Sequence, residues 1–195
     1  NYAAAIGQVL DKLGLAQVDL IAEGLSTALA VVLAKAQPGR IGTLVLDGVV
    51  PAGADLRTEM RINYCPDLRP TREGLHLHKA FHMLRDQEVQ WPWYDGSAAA
   101  IRKIDPRLSG ERLHIRLVDT LKQFDRYAEP IVAAIDVDLP ALLPTLAAKT
   151  IVCTAPDDAR YAPAHAAATM IKGARTAEVP RPTAERAAAI LALLD

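Results

Sequence analysis

The chain has 195 residues, of which 51% are hydrophobic, with 22 Lys plus Arg against 23 Asp plus Glu and a formal net charge of -1. That length supports one domain with a real core, and the charge balance gives no electrostatic footprint for nucleic acid or an anionic membrane as a partner. The richest apolar stretch, Leu25 to Ala36, ends at Pro38-Gly39, short of the roughly 20 residues that span a bilayer.

Tyr2 to Leu13 places Ala5, Ile6, Val9, Leu10 and Leu13 at helical spacing, with Gly14 as a stop. Val18 to Ala22 reads as a short buried strand, broken by Glu23-Gly24. Leu25 to Lys35 is again helical and almost wholly apolar, so it is expected to be buried on most sides. Ile41 to Leu46 is a second apolar strand, closed by Asp47-Gly48. Continuous apolar strands alternating with helices are the pattern of a mostly parallel sheet flanked by helices, the α/β class.

Residues 51–70 read as irregular. From Glu73 to Leu146 the pattern is helical without strands: Leu75 to Gln87, Glu111 to Phe124, Tyr127 to Ile135 and Leu139 to Leu146. Trp91 to Gly96 and Asp105-Pro106 carry turn signals between them. Strand logic returns at Thr150 to Cys153. A helix over Pro163 to Lys172 stopped by Gly173, a short last strand at Ala177 to Val179, and a closing helix over Pro182 to Leu194 follow. The expected division is a core of residues 1–50 and 147–195 interrupted by a helical insertion over 51–146.

Cys65 and Cys153 are the only cysteines. Two thiols that form no ligand cluster fit a reduced, cytoplasmic chain better than a disulfide scaffold. His78, His82 and Asp86 are spaced i, i+4, i+8 on one helix face. Metal ligation could use that spacing, but no supporting ligand accompanies it, so a ligand-facing or solvated stripe is expected and no metal site. Trp91, Trp93 and Tyr94 cluster in a connector, either pinning the insertion or walling a ligand pocket.

The segment Val18-Asp19-Leu20-Ile21-Ala22-Glu23-Gly24-Leu25-Ser26-Thr27-Ala28-Leu29-Ala30 resembles the strand, turn and helix around the nucleophile elbow of the α/β-hydrolase superfamily, its esterase and lactonase branch with a helical cap. Arg40 to Gly48 resembles the strand that follows. Asp157-Asp158 beyond the Ile151 strand resembles the loop carrying the catalytic acid, and the helical insertion falls where the family places its cap. The resemblance implies a front part before Asn1, and an ancestral activity on esters or lactones of small apolar molecules, with no cofactor.

The departures are chemical. The elbow is Gly-x-Ser-x-Gly; here Gly24 stands at the nucleophile position and Ser26 where the second glycine belongs. Glu23 precedes the nucleophile position. No histidine occurs between Val179 and Thr183, where the family brings its base. Asp158 remains as a possible acid, with Asp157 and Asp47 as alternatives, and the Leu25 N–H as a possible oxyanion donor. Nucleophile, base and acid work as a unit, so the expectation is a non-catalytic relative that binds a small apolar or ester-like ligand or a partner chain. The alternative is an altered or incomplete serine hydrolase. Ligand-binding candidates are Glu23, His78, His82, Trp91 and Trp93. A strand at Val18 to Ala22 without neighbours on its front side, and an uncovered face on the Leu25 to Lys35 helix, would favour self-association or a second chain.

Overall fold

The computed structural model describes residues 2–103, 106, 108–181 and 184–194. Its chain order begins α1 (Tyr2–Lys12), β1 (Val18–Glu23), α2 (Ser26–Ala36) and β2 (Ile41–Asp47). Helices α3 (Ala54–Asn63), α4 (Leu75–Val89), α5 (Gly110–Lys122), α6 (Ala128–Ile135) and α7 (Leu139–Leu142) follow. It closes with β3 (Lys149–Thr154), α8 (Tyr161–Met170), β4 (Arg175–Glu178) and α9 (Ala184–Leu191). Among the described residues the sheet has four strands in the order β1-β2-β3-β4, every neighbouring pair parallel. The three strands expected to be parallel neighbours are so arranged.

The continuous apolar runs have a simple cause. Side chains alternate across a strand, and here both faces are covered. Leu44, Leu46 and Val152 join Val31, Leu33, Leu143, Ala164 and Ala167 on one face. Val45, Ile151 and Cys153 meet Val179 and Ile190 on the other. Leu33, Leu44 and Leu46 are fully buried, each contributing about 1.5–3 kcal/mol relative to exposure. The ladder of β1 and β2 slips between Val18 and Leu20, where the Asp19 carboxylate accepts the Thr43 N–H at 2.6 Å.

Some expectations need correction. Residues 51–70 are not irregular throughout: 54–63 form α3, with only Met60 buried. A charged helix with so narrow an apolar stripe leaves little periodicity to read. The expected helix over 139–146 is α7 followed by a 3-10 turn at Leu143–Thr145; Asp138 caps it by accepting the Ala141 N–H at 3.3 Å, and Pro144 cannot continue the ladder. Helix α8 starts at Tyr161, which places Pro163 in its first turn, where a missing N–H costs nothing. The last strand begins at Arg175, two residues earlier than expected. The turn signal at Asp105 and the helix start at Pro182 lie outside the described residues.

The uncovered face expected on α2 is not there. Thr27, Ala28, Ala30, Val31, Leu33 and Ala34 are buried, and α1 and α7 pack on the helix. Exposure falls on α1 instead, at Tyr2, Ile6, Val9 and Leu13, while β1 stands at the sheet edge with Ile21 exposed.

The chain divides into two units, residues 1–55 with 134–195, and residues 56–133. The first holds the sheet. The second has its own apolar cluster of Leu68, Ala80, Met83, Leu84 and Leu113, with Trp93, Phe124 and Tyr127 against it. The Trp93 indole N–H donates to the Tyr64 carbonyl at 3.0 Å, and the Tyr127 hydroxyl donates to the Pro66 carbonyl.

Candidate functional site

The carboxyl ends of parallel strands are where open α/β sheets place their chemistry. Strand β1 ends in Glu23-Gly24 and β2 in Asp47-Gly48, each an acid followed by a glycine in the left-handed region, with φ of +58° and +62°. The Gly24 N–H donates to the Asp47 carbonyl at 2.9 Å, and the Gly48 N–H to the Cys153 carbonyl at 2.8 Å, so the sheet pattern continues into both turns. Helix α2 starts two residues after Gly24. The Ser26 hydroxyl donates to the Glu23 carbonyl at 2.8 Å and accepts the Glu23 N–H at 3.0 Å. The Thr27 hydroxyl donates to the Gly24 carbonyl at 2.6 Å. Both hydroxyls close the strand-to-helix turn. Leu25, half-buried, opens α2 at the same turn.

Beyond β3 the chain makes a tight turn, the Asp158 N–H donating to the Ala155 carbonyl at 3.0 Å. Asp158 then receives three hydrogen bonds from Arg160: the backbone N–H and Nε to Oδ1, each at 2.9 Å, and Nη2 to Oδ2 at 2.7 Å. The side chains are 15% and 6% exposed for Arg160 and Asp158. The arginine lies across both glycines. A Cβ placed on Gly24 would meet Arg160 Nη1 at 3.2 Å, and one on Gly48 would meet Cζ at 2.8 Å and Nη1 at 2.9 Å. Sequence reading did not single out Arg160. Its signal was available: Asp158-Ala159-Arg160 repeats the spacing of Asp67-Leu68-Arg69.

A second arginine missed by sequence reading is Arg186 of α9. It grips Asp47, with Nε donating at 3.1 Å and Nη2 at 2.5 Å, and its Nη1 donates to the Pro180 carbonyl at 2.5 Å. Both side chains are nearly sealed from solvent. Burial pushes the Asp47 carboxyl up and the Arg186 guanidinium pulls it back, with burial the larger effect. Arg181 pairs with Asp157. Glu23 is the loosest acid of the group, exposed, with its carboxylate 4.0 Å from Arg160 Nη2. Thr154 ends β3 with a buried hydroxyl that has no partner among the described residues. The Cys153 thiol is pushed up to about 12 by burial and by the Asp47 carboxylate, so it is not a thiolate nucleophile at neutral pH. His165 of α8 has its Nδ1 3.0 Å from the Tyr161 carbonyl and its ring packed on the Tyr161 ring.

The ligand candidates of the helical unit are dispersed. His78 and His82 are exposed on α4, His82 edge-on to Phe81 with centroids 6.1 Å apart. Asp86, the third member of that stripe, is paired with Arg85 at 2.7 Å. His76 instead accepts the Thr71 N–H at 3.1 Å, closing the turn before α4. Trp91 is half-buried, and Trp93 is committed to its own unit's core. Among the described residues no group of three or more His, Cys, Asp or Glu is placed to hold a metal ion.

No family model and no curated protein matches the sequence. Solved structures do match. A hydrolase from Pseudomonas aeruginosa aligns over 91% of this chain and 62% of its own length, with 19% identity and a TM-score of 0.60. An alpha/beta hydrolase enzyme from a Medee basin deep-sea metagenome library aligns over the same shares, with 12% identity and a TM-score of 0.60. The chain has the α/β-hydrolase fold. The enol-lactonase from Burkholderia xenovorans, also with a TM-score of 0.60, is 18% identical over 98% of this chain and 69% of its own. The chain thus spans 62% of the length of the first two enzymes. At the turn between β1 and α2 this chain carries Gly24, with the guanidinium of Arg160 over it.

Proposed function

We propose that this chain is a binding member of the α/β-hydrolase fold and not an acyl-transfer enzyme. The observation that carries the reading is the seat of Arg160, whose Nη1 lies 3.2 Å from where a side chain on Gly24 would begin. The candidate acid of the site, Asp158, spends its carboxylate on that same arginine, and the sequence has no histidine between β4 and α9. A hydroxyl without a base and an acid without an imidazole perform no nucleophilic acyl transfer. The likeness to an enol-lactonase supports a small apolar molecule with an ester, lactone or related group as the ligand class. In this reading the helical unit serves as the cap and the chain works in the cytoplasm, where its two free thiols are at home. The sheet edge at β1 and the exposed side chains of α1 take up a second copy or a second chain. The test is exposure of the full chain to a fluorophosphonate probe, followed by peptide mass spectrometry and a p-nitrophenyl butyrate assay. The expected result is no labelled serine and no turnover; stoichiometric labelling at Ser26 would overturn the reading.

One observation favours the alternative, an altered serine hydrolase: the strand-to-helix turn keeps its left-handed residue at Gly24. Gly24→Ser separates the two. The expected outcome is a folded variant with no esterase activity, because the new hydroxyl has no base and meets Arg160. Restored turnover would establish the alternative.

A further inference from the structure

We propose that Arg160 anchors a site for a small organic carboxylate at the ends of β1 and β2, an inference that rests on the binding reading above. The guanidinium has five donors in a fixed fork. Nε and Nη2 are spent on Asp158, whereas Nη1 donates to no acceptor among the described residues. Nη1 is the atom that packs over Gly24 and Gly48, within 3.2 Å and 2.9 Å of where their side chains would begin, so the two glycines let the guanidinium sit at the strand ends. Leu25, the next residue after Gly24, opens the 11-residue helix α2, and the first N–H groups of a helix carry partial positive charge.

The neighbouring charges select the ligand. Asp47 is neutralised by Arg186 and Asp157 by Arg181. Glu23 is the acid left over, and its exposed carboxylate already hovers 4.0 Å from the Arg160 guanidinium. It marks the approach a carboxylate takes and competes for it. Because the Arg160–Asp158 pair is already neutral overall, a singly charged, planar carboxylate suits the remaining donors. A doubly charged phosphate would face Glu23 and Asp158 together. A carboxylate is also what an opened ester or lactone leaves behind, so the site would hold the acid where a hydrolase of this fold would process the ester.

The probe is sodium butyrate, with butyramide as its uncharged twin, titrated at matched ionic strength into the full chain while the amide resonances of Gly24, Leu25 and Gly48 are followed. Butyrate is expected to shift these amides saturably. Butyramide is expected to bind about tenfold more weakly or not at all, having lost the charge-assisted bonds. The exposed substitution Glu23→Gln removes the competitor and is expected to tighten butyrate about threefold, the scale of an exposed ion pair. Absence of a saturable shift, equal effects of the two probes, or unchanged or weaker butyrate binding in Glu23→Gln would each overturn the proposal. Failure here with no fluorophosphonate labelling leaves the non-catalytic reading standing; labelling at a serine removes that reading itself.

Discussion

Asp67-Leu68-Arg69 and Asp158-Ala159-Arg160 are the same device in two places. In each, the arginine N–H and Nε donate to one carboxylate oxygen and Nη2 to the other, at 3.0, 3.0 and 2.7 Å in the first pair and 2.9, 2.9 and 2.7 Å in the second. Yet Arg69 and Asp67 are 79% and 51% exposed where Arg160 and Asp158 are 15% and 6%. Local sequence dictates the geometry, because a two-residue spacing lets the side chain fold back on its own turn. Position in the fold dictates what the geometry is worth. In water the exposed pair exchanges one set of partners for another; the pair at the strand ends has no such exchange and becomes part of the site.

The largest expected effect comes from breaking the sealed pair. Asp158→Ala leaves the Arg160 charge without its partner, and removing one member of a buried pair costs about 3–5 kcal/mol. For a chain of this size that is a fall in melting temperature of roughly 10 °C or more. Urea denaturation of the variant against wild type measures it. A loss below about 1 kcal/mol, the scale of exposed pairs, would mean that Arg160 finds solvent as freely as Arg69 does.

A sharper cut asks how Arg160 is seated. Gly48→Ala and Gly173→Ala both place a side chain in the left-handed region, at φ of +62° and +74°. That alone costs about 1–2 kcal/mol. At Gly173 the new methyl meets nothing within 4 Å, whereas at Gly48 it lies 2.8 Å from Arg160 Cζ. Gly48→Ala is therefore expected to lose a further 1–3 kcal/mol or so from overpacking. Equal losses in parallel melts would show that the arginine does not lie over the turn.

Much of this was legible from sequence, and the remainder has physical reasons. The strands at Ile41 and Thr150 announced themselves because burial on both faces leaves uninterrupted apolar runs; the strand at Val18, expected to be buried, stands at the sheet edge with Asp19 and Ile21 exposed. Gly24 announced the turn, since a glycine after a buried strand and before an apolar helix marks a left-handed residue. Helix α3 stayed hidden because Met60 is its one buried residue. Arg160 and Arg186 stayed hidden for a different reason. An arginine reads as surface in a sequence: the local spacing shows that Arg160 can reach Asp158, but only tertiary structure shows that this pair sits at the strand ends, and that the acid of Arg186, Asp47, lies 139 residues away.

The thiols carry the same contrast. Cys65 stands two residues before Asp67 and is half-buried; Cys153 stands at the end of β3 and is buried. Burial pushes them up to about 11 and about 12 from 9.0. Both folded values lie above the unfolded one. The stability they contribute is therefore complete below pH 9 and is lost as pH rises towards 11 and 12. At pH 8 the Cys65 thiolate fraction is about a hundredfold below that of an unperturbed thiol. With Ellman's reagent at pH 8 Cys65 is expected to react slowly and Cys153 only on unfolding. Prompt reaction of Cys153 would mean that the strand end opens in solution.

The smallest expected effect is the counterpart of the first. Arg69→Gln removes the guanidinium from Asp67, whose carboxyl that guanidinium holds well below the usual carboxylate range. Such a shift describes what the pair does when the proton comes off, and not how much the fold gains from it. Both groups stand in water, so the carboxylate released by the substitution is hydrated at once, and the backbone N–H of residue 69 can still reach Asp67 as it does now at 3.0 Å. The urea curve of Arg69→Gln at pH 7 is expected to overlie that of wild type, and 0.5 M salt to change neither. A measurable loss of stability at Arg69 would break the comparison, because it would mean that the pair at Asp67 is covered in solution by something that makes its charges count.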